Sequence, residues 1–188
     1  MDRSASFAPT LLLAMPQLRD PNFVRSVVLL CEHGAQGALG FVVNRPTEVH
    51  AVDAVVLDPP ASGDSGLMLW TGGPVEAQRG FLLLGDDPGV TDSERVAEGF
   101  HLTASVQVLR QLLTADPADL TRRHARLLLG YAGWGPGQLD AELTASAWLT
   151  APPDPALVFE TPPEEMWERA IRGLGVDPMA LQLGAGIQ

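Results

Sequence analysis

The chain has 188 residues, of which 46% are hydrophobic and 19% are charged, and its formal net charge is −11. This composition excludes a disordered chain, and a domain of this length buries about 70% of its unfolded surface without needing a disulfide or a metal. All 12 basic residues are arginines, so a P-loop lysine and a Schiff-base lysine are excluded as well. The negative charge repels polyanions, and we do not expect direct binding to nucleic acid.

The compartment and the domain organisation follow from what the chain lacks. Its single cysteine, Cys31, excludes an internal disulfide and fits a reducing compartment. No segment approaches the roughly 20 apolar residues of a membrane-spanning helix, and the apolar run at 11–15 is too short for a signal peptide. We therefore expect a cytoplasmic protein without membrane contact, with a flexible N-terminal segment at 1–9, one domain at 10–178 and a tail at 179–188.

The first part of the chain predicts a short strand at 10–15 and then a β-hairpin. The hairpin strands, at 24–33 and 38–44, are rich in β-branched residues, and the segment 34–37 between them begins and ends with glycine. The first of these strands is almost continuously apolar, so we expect it to be covered on both faces. Valines at helical spacing predict a helix at 47–57, and their low helix propensity leaves a strand as the alternative.

The middle of the chain predicts strands at 67–71, 79–84 and 96–102, an amphipathic helix at 103–114, and a buried strand at 125–131. The densest basic cluster of the chain lies just before and within the start of that last strand. It consists of Arg122, Arg123, His124 and Arg126. We interpret it as a solvated loop that leads into the strand.

The last third predicts a short helix at 138–144, strands at 146–150 and 156–159, and a longer helix near the C-terminus. Thr161 and Glu164 have the spacing of a capping box at the start of that helix. Strands in adjacent pairs, interrupted by single helices, are typical of the α+β class. We predict a single compact α+β domain with a mostly antiparallel or mixed β-sheet packed against a few helices.

Six sequence blocks occur in a characteristic order and spacing. They are Met15-Pro16, Asp20-Pro21-Asn22-Phe23, Cys31-Glu32-His33, Gly40-Phe41-Val42-Val43-Asn44-Arg45-Pro46, Gly72-Gly73-Pro74-Val75 and the run from Gly130 to Glu142. With these blocks the chain resembles the YqgE/AlgH family over nearly its whole length. The resemblance implies a compact bacterial α+β protein of unsettled biochemistry, and one branch of the family is named as a transcriptional regulator. It implies no catalytic residue.

Cys31 and His33 are the one pair of residues that could form a nucleophilic site. One residue separates them on a predicted strand, so their side chains are expected on the same face. An imidazolium beside a thiol stabilises the thiolate. The alternative, which we favour, is a buried core cysteine and a histidine at the strand end. The other histidines lack ligand spacing, so no metal site is predicted.

Four glycines between 130 and 137 separate a predicted strand from a predicted helix. Backbone N–H groups in such a place can cradle an anion. However, Gln138 stands where a dinucleotide fingerprint has its third glycine, and Pro136 removes one donor. We therefore interpret the segment as a tight turn lined by Tyr131 and Trp134.

Arg45 and Arg79 stand at strand ends, beside Asn44 and Gln78. A guanidinium in such a position can bind an anionic ligand through two hydrogen bonds, or it can pair with the acidic loops of this negative chain. Both interpretations stay open for these two arginines.

Taken together, these patterns favour a binding or regulatory module over an enzyme. Its partner would be a protein or a small anionic ligand, bound at the hairpin end and the glycine-rich turn. The predicted binding residues are Asn44, Arg45, Arg79, Trp134 and Gln138. No cofactor and no metal are predicted, and a role in transcription would be indirect, since no basic recognition helix is visible. The alternative is a cysteine-dependent enzyme that uses Cys31 with His33.

Overall fold

Within residues 6–184, which the computed structural model describes, the chain forms ten strands and seven helices. The strands are β1 (Thr10–Ala14), β2 (Val27–Gly34), β3 (Gly37–Val42), β4 (Pro46–His50), β5 (Met68–Thr71), β6 (Val75–Leu84), β7 (Ser93–Ala97), β8 (Phe100–Thr103), β9 (Arg126–Trp134) and β10 (Trp148–Ala151). The helices are α1 (Ala51–Ala54), α2 (Val106–Leu113), α3 (Pro117–Arg122), α4 (Gln138–Thr144), α5 (Pro155–Glu160), α6 (Pro163–Gly173) and α7 (Pro178–Gly184).

All ten strands belong to one sheet. Its order is β10-β1-β2-β3-β9-β6-β8-β7, with β5 on β9 and β4 on β5. Every strand pair is antiparallel except β5 with β9, which is parallel. The predicted α+β class and the mostly antiparallel or mixed sheet are confirmed.

The hairpin of β2 and β3 is confirmed. Gly34 pairs with Gly37, so the turn has two residues between them. Successive side chains in the buried first half of β2 belong alternately to two core clusters, with Leu29 in one cluster and Leu30 in the other. The strand is therefore covered on both faces, which explains its almost continuous apolar sequence.

Three clusters of buried side chains fill the two faces of the sheet. The first core lies under α5 and α6 and contains Leu11, Leu13, Val27, Leu29, Phe41, Val43, Leu83, Phe100, Leu128, Val158, Met166, Trp167 and Ile171. The second core lies on the opposite face of β1–β3 and contains Leu12, Ala14, Val28, Leu30, Val42, Ala132, Trp134, Leu139 and Trp148. The third core shares that opposite face, lies under α1 and α2, and contains Ala51, Leu67, Leu69, Leu82, Leu84, Val108, Leu112, Leu113 and Leu127.

The connection from β5 to β6 crosses strand β9. Residues 127–129 of β9 pair with β5 on one edge and with β6 on the other. Only residues 72–74 join β5 to β6, so this short segment must pass over β9. A Cβ atom on Gly72 would lie 2.3 Å from the carbonyl oxygen of Gly130, and one on Gly73 would lie 2.1 Å from the β9 backbone. Glycine is required here because two backbones touch.

Gly130 also reverses the side-chain alternation of β9. Its φ of +71° lies in the left-handed region. Leu128 before it and Tyr131 after it both pack against the first core, while Leu129 and Ala132 pack against the third and second cores on the opposite face. A single strand thereby joins the half-sheet under α2 to the half-sheet of the hairpin.

Three predicted elements have a different structure. Residues 96–102, predicted as one strand, contain the end of β7 and most of β8, which pair antiparallel across the turn at 98–99. Residues 47–57 are predicted as a helix with a strand as the alternative. Residues 47–50 belong to strand β4, because valine and threonine favour the pairing with β5, and only residues 51–54 form the single turn α1. Residues 156–159, predicted as a strand, form helix α5. The Asp154 carboxylate accepts hydrogen bonds from the N–H groups of Ala156 and Leu157, and Pro155 occupies the first helical position.

The boundaries of three other segments also differ from the prediction. The predicted solvated loop before β9 begins within helix α3, which ends at Arg122 and which Asp116 caps through the N–H of Ala118 at 2.8 Å. Helix α6 forms, but Pro162 precedes it without a side-chain cap, so the capping box of Thr161 and Glu164 is wrong. Helix α7 lies in the predicted tail; residues 185–188 of that tail and residues 1–5 of the N-terminal segment lie outside the described residues.

We expect Gly72→Ala to lower the free energy of unfolding by about 3 kcal/mol or more, the upper range for overpacking, because its methyl group would overlap the Gly130 carbonyl. Urea unfolding followed by circular dichroism measures the change. Gly63→Ala is the matched control: nothing lies within 4 Å of a Cβ atom at that position, and a change within about 0.5 kcal/mol is expected. Equal stability of the two variants would contradict the crossing.

Candidate functional site

Asn44 and Arg45, two of the predicted binding residues, hold the loop that precedes β2. The Asn44 side chain accepts a hydrogen bond from the N–H of Val27 at 3.0 Å and donates one to the carbonyl of Arg25 at 3.0 Å. The Arg45 guanidinium donates to two further carbonyls of the same loop, at 3.1 and 2.9 Å. Partial burial lowers the pKa of Arg45, and the nearby Asp20 carboxylate opposes that shift.

Trp134 lies inside the second core. Its ring stacks on Phe23 of the same loop at 6.3 Å and meets Trp148 edge-on at 6.0 Å. One oxygen of Glu142 accepts hydrogen bonds from both indole N–H groups, at 2.9 Å from Trp134 and 2.8 Å from Trp148. A single carboxylate on α4 therefore satisfies two tryptophans.

Gln138 closes the glycine-rich turn, which is the tight turn that we predict. Its amide oxygen accepts from the N–H of Gly135 at 3.0 Å, and its amide nitrogen donates to Glu142 at 3.0 Å. The Gly135 N–H that would face an anion thus already has a partner within the chain. Gln138 is nonetheless exposed to solvent.

Arg79 is the fifth predicted binding residue, and it is more exposed to solvent than Arg45. It pairs with Glu76 at 3.1 Å and lies 5.0 Å over the ring of Phe81. The structure therefore gathers Asn44, Arg45 and Trp134 around one loop and places Arg79 elsewhere on β6. A ligand on these five residues stays a prediction.

Cys31 and His33 do not share a face. A β-bulge between Leu30 and Glu32 interrupts the alternation of β2. Cys31 packs against the first core, whereas His33 pairs with Ala38, which packs against the second core. The predicted common face is wrong because period-two spacing fails across a bulge.

The two groups also have separate chemical surroundings. Burial raises the pKa of the Cys31 thiol far above its usual value, and the carboxylates of Glu94 and Glu32 add to this shift. The His33 ring accepts the Phe7 N–H at Nδ1, 3.1 Å away, and its Nε2 lies 3.2 Å from Asp140. In this geometry Cys31 and His33 do not form a thiolate–imidazolium pair. The structure therefore does not support the alternative of a cysteine-dependent enzyme.

The basic cluster before β9 presents no continuous positive surface. Arg122 forms an ion pair with Asp119, and Arg123 pairs with Asp86 at 3.1 Å. Arg126 is only 6% exposed. The cations of this cluster are thus either neutralised by a neighbouring carboxylate or buried.

Two other classes of site are absent from residues 6–184. No group of three or more His, Cys, Asp or Glu side chains in this range could hold a metal ion. No helix in the same range has both the length and the apolar character needed to cross a membrane.

A cavity, here termed the sheet pocket, lies between the sheet and the ends of α1 and α2. Its volume is about 640 Å³. Its floor consists of Leu69, Leu82, Leu127 and Leu129, from three adjacent strands, together with Gly80. Its walls include Val55, Val56, Leu57, Gln78, Ser105, Val106 and Leu109. None of the predicted binding residues lines it.

Comparison with known proteins decides the family. A family model described as AlgH-like matches residues 11–179. The chain belongs to the AlgH-like family. A UPF0301 protein of Ruegeria pomeroyi is 41% identical over 94% of this AlgH-like chain and 96% of the relative. A UPF0301 protein of Myxococcus xanthus is 41% identical over 97% of this chain and 98% of the relative.

Two solved structures have the same fold as this chain. The solution structure of AlgH from Pseudomonas aeruginosa is 33% identical to this chain, covers 96% of both chains and superimposes with a TM-score of 0.71. The crystal structure of a protein from Corynebacterium diphtheriae is 26% identical, covers 97% of this chain and 93% of its own, and has a TM-score of 0.66. The names of these relatives state no activity, in agreement with a family of uncharacterised proteins.

We expect iodoacetamide to alkylate Cys31 of the folded AlgH-like chain at least about tenfold more slowly than in the urea-unfolded chain, because each unit of raised pKa lowers the thiolate fraction tenfold. Mass spectrometry of samples quenched at intervals at neutral pH gives both rates. Equally fast labelling of the folded and unfolded chains would restore the cysteine-dependent alternative.

Proposed function

We propose that this AlgH-like chain is a ligand-binding regulatory module whose ligand occupies the sheet pocket. The observation that carries the proposal is a cavity of about 640 Å³ with a floor of leucine side chains. Pockets that bind small molecules measure about 300–1,000 Å³ and are lined mainly by apolar groups. The sheet pocket fits this description in volume and in chemistry.

The ligand that fits this pocket is small, uncharged and mostly apolar. No charged side chain lines it, and its polar side chains are Gln78 and Ser105. Ser105 already caps α2 by accepting from the N–H of Val108 at 3.4 Å, which leaves Gln78 for one polar group of a ligand. Val56 is 98% exposed and Val106 is 54% exposed, and a ligand that covers them removes apolar surface from water.

The position of the pocket supports a regulatory role. Its outer walls are residues 55–57 after the short helix α1 and the first turn of α2, whereas its floor is the sheet. A ligand between these elements fixes their spacing, so a protein partner can distinguish the filled from the empty state. An effect on transcription would follow through such a partner.

The predicted binding residues have two roles in this proposal. Arg79 and Gln138 are exposed and serve as contacts to the partner. Asn44, Arg45 and Trp134 position the loop before β2 through the bonds and ring contacts described above. A cytoplasmic location is also part of the proposal, and the single cysteine, Cys31, supports it because it fits a reducing compartment.

We expect Gly80→Leu to weaken binding of an uncharged apolar probe, because the new side chain occupies the floor of the sheet pocket. A Cβ atom on Gly80 would make ordinary contacts of 3.4 Å with Leu127 and 4.0 Å with Leu129, so the strand can accept it. The measurement is a titration with Nile red, whose emission shifts to the blue in apolar surroundings. We expect affinity to fall at least about tenfold.

Gly34→Leu is the matched control, since it adds the same side chain at an exposed position with nothing within 4 Å of the new Cβ atom. Urea unfolding verifies that both variants fold. Unchanged Nile red binding by Gly80→Leu, or equal loss in both variants, would contradict the proposed pocket.

We expect the full chain not to retard a random-sequence DNA duplex in a gel-shift assay at physiological salt. The net charge is −11, and the basic cluster before β9 is paired or buried. Retardation that weakens as salt rises would show phosphate contacts and would replace the indirect role with direct DNA binding.

A further inference from the structure

Arg126 is a buried cation at the start of β9. It is 6% exposed, and its guanidinium lies 4.0 Å over the ring of Trp70 and 5.1 Å from the ring centre of Phe159. Two of its N–H groups donate to the carbonyls of Val43 at 2.8 Å and Val158 at 2.6 Å. Burial lowers the pKa of Arg126 to about 10, which leaves it protonated at neutral pH.

The charge of Arg126 has no counter-charge in the described part of the chain. It forms no ion pair there, unlike eight other basic side chains, six arginines and two histidines, which contact carboxylates within 4.0 Å. A guanidinium has five N–H donors. In Arg126 only two of these donors form hydrogen bonds to acceptors within the described residues. A buried charge is costly unless an opposite charge accompanies it.

Arg126 lines a second cavity, here termed the Arg126 cavity, of about 290 Å³. Its other walls include Leu67, Trp70, Thr121, His124 and Phe159, and no acidic side chain lines it. The chain as a whole has a net charge of −11, so a cavity lined by an arginine and by no acidic side chain differs in charge from the rest of the molecule. The Arg126 cavity shares no lining residue with the sheet pocket.

The chemistry of the walls selects the ligand. One guanidinium supplies one positive charge, which a single carboxylate balances, whereas a phosphate dianion would leave negative charge uncompensated. The fork of N–H donors matches the two oxygens of a carboxylate. Trp70, Phe159 and Leu67 offer apolar and aromatic surface to the rest of such a molecule.

We propose that the AlgH-like chain binds a small monocarboxylate with an apolar or aromatic body in the Arg126 cavity. The carboxylate pairs with the guanidinium of Arg126, and the body lies against the rings beside it. This site is additional to the sheet pocket, and its ligand is anionic, as the sequence predicts for one class of partner.

The test uses the full chain labelled with ¹⁵N and titrated with benzoate. We expect saturable shifts of the Arg126 Nε–H and Trp70 indole N–H resonances. Benzamide, which has the same ring without the charge, should bind at least about tenfold more weakly, since charge-assisted hydrogen bonds are about twice as strong as neutral ones. Inorganic phosphate is the third probe and should bind more weakly than benzoate.

Substitution of Arg126 would also release two backbone carbonyls, so His124 carries the mutational test. His124 has φ of +50°, which aspartate and asparagine tolerate better than most residues. His124→Asp adds a carboxylate to the cavity wall and should weaken benzoate binding at least about tenfold by competing for Arg126. His124→Asn is the matched neutral control and should bind within about threefold of the unaltered chain.

Absence of saturable shifts with benzoate would show that Arg126 is only a clamp on two carbonyls and would overturn the proposal. Equal binding of benzamide, tighter binding of phosphate, or equal affinity of the two His124 variants would overturn it as well. Gly80→Leu should leave the benzoate shifts unchanged. Failure at the sheet pocket and failure at the Arg126 cavity are therefore distinguishable.

Discussion

The contact between the backbone at Gly72–Gly73 and the backbone of β9 is the constraint on which the rest of the molecule depends. Because the connection from β5 to β6 passes over β9, the same three residues of β9 are paired on both edges. β9 then continues past Gly130 to pair with β3. Leu127 and Leu129 of β9 form part of the floor of the sheet pocket, the first residue of β9 is Arg126, and its last is Trp134. Both cavities are placed by this one strand.

Elements that depend on local signals were predictable from the sequence. The hairpin has alternating burial and glycines at both ends of a short turn, and α4 follows directly from the glycine-rich turn. Helix α5 also carried a local signal, since Asp154-Pro155 is a helix start, but its apolar β-favouring residues outweigh that signal in a strand prediction. The crossing over β9 has no local signature, because it joins residues nearly sixty positions apart.

The candidate sites, like the fold, contain residues with a local sequence signal and residues without one. Polar residues in characteristic blocks, such as Asn44 and Trp134, attract a functional interpretation, yet the structure uses their hydrogen bonds to hold the chain itself. The sheet pocket is made of leucines from separate strands, and nothing in a single strand distinguishes Leu82 as a pocket residue rather than a core residue. The burial of Arg126 depends on Trp70 and Phe159, which lie far from it in the sequence.

The arch that residues 72–74 form over β9 has a consequence for synthesis on the ribosome. β5 and β6 are synthesised about fifty residues before β9. The growing chain therefore contains two strands before the strand that pairs with both of them has been made. The backbone N–H and C=O groups of β5 and β6 that face β9 have no partners until β9 has been synthesised and has inserted between these two strands. The nascent chain therefore completes its hydrogen-bonded sheet late, through contacts of long sequence separation, and until then it exposes strand edges to which other chains can pair.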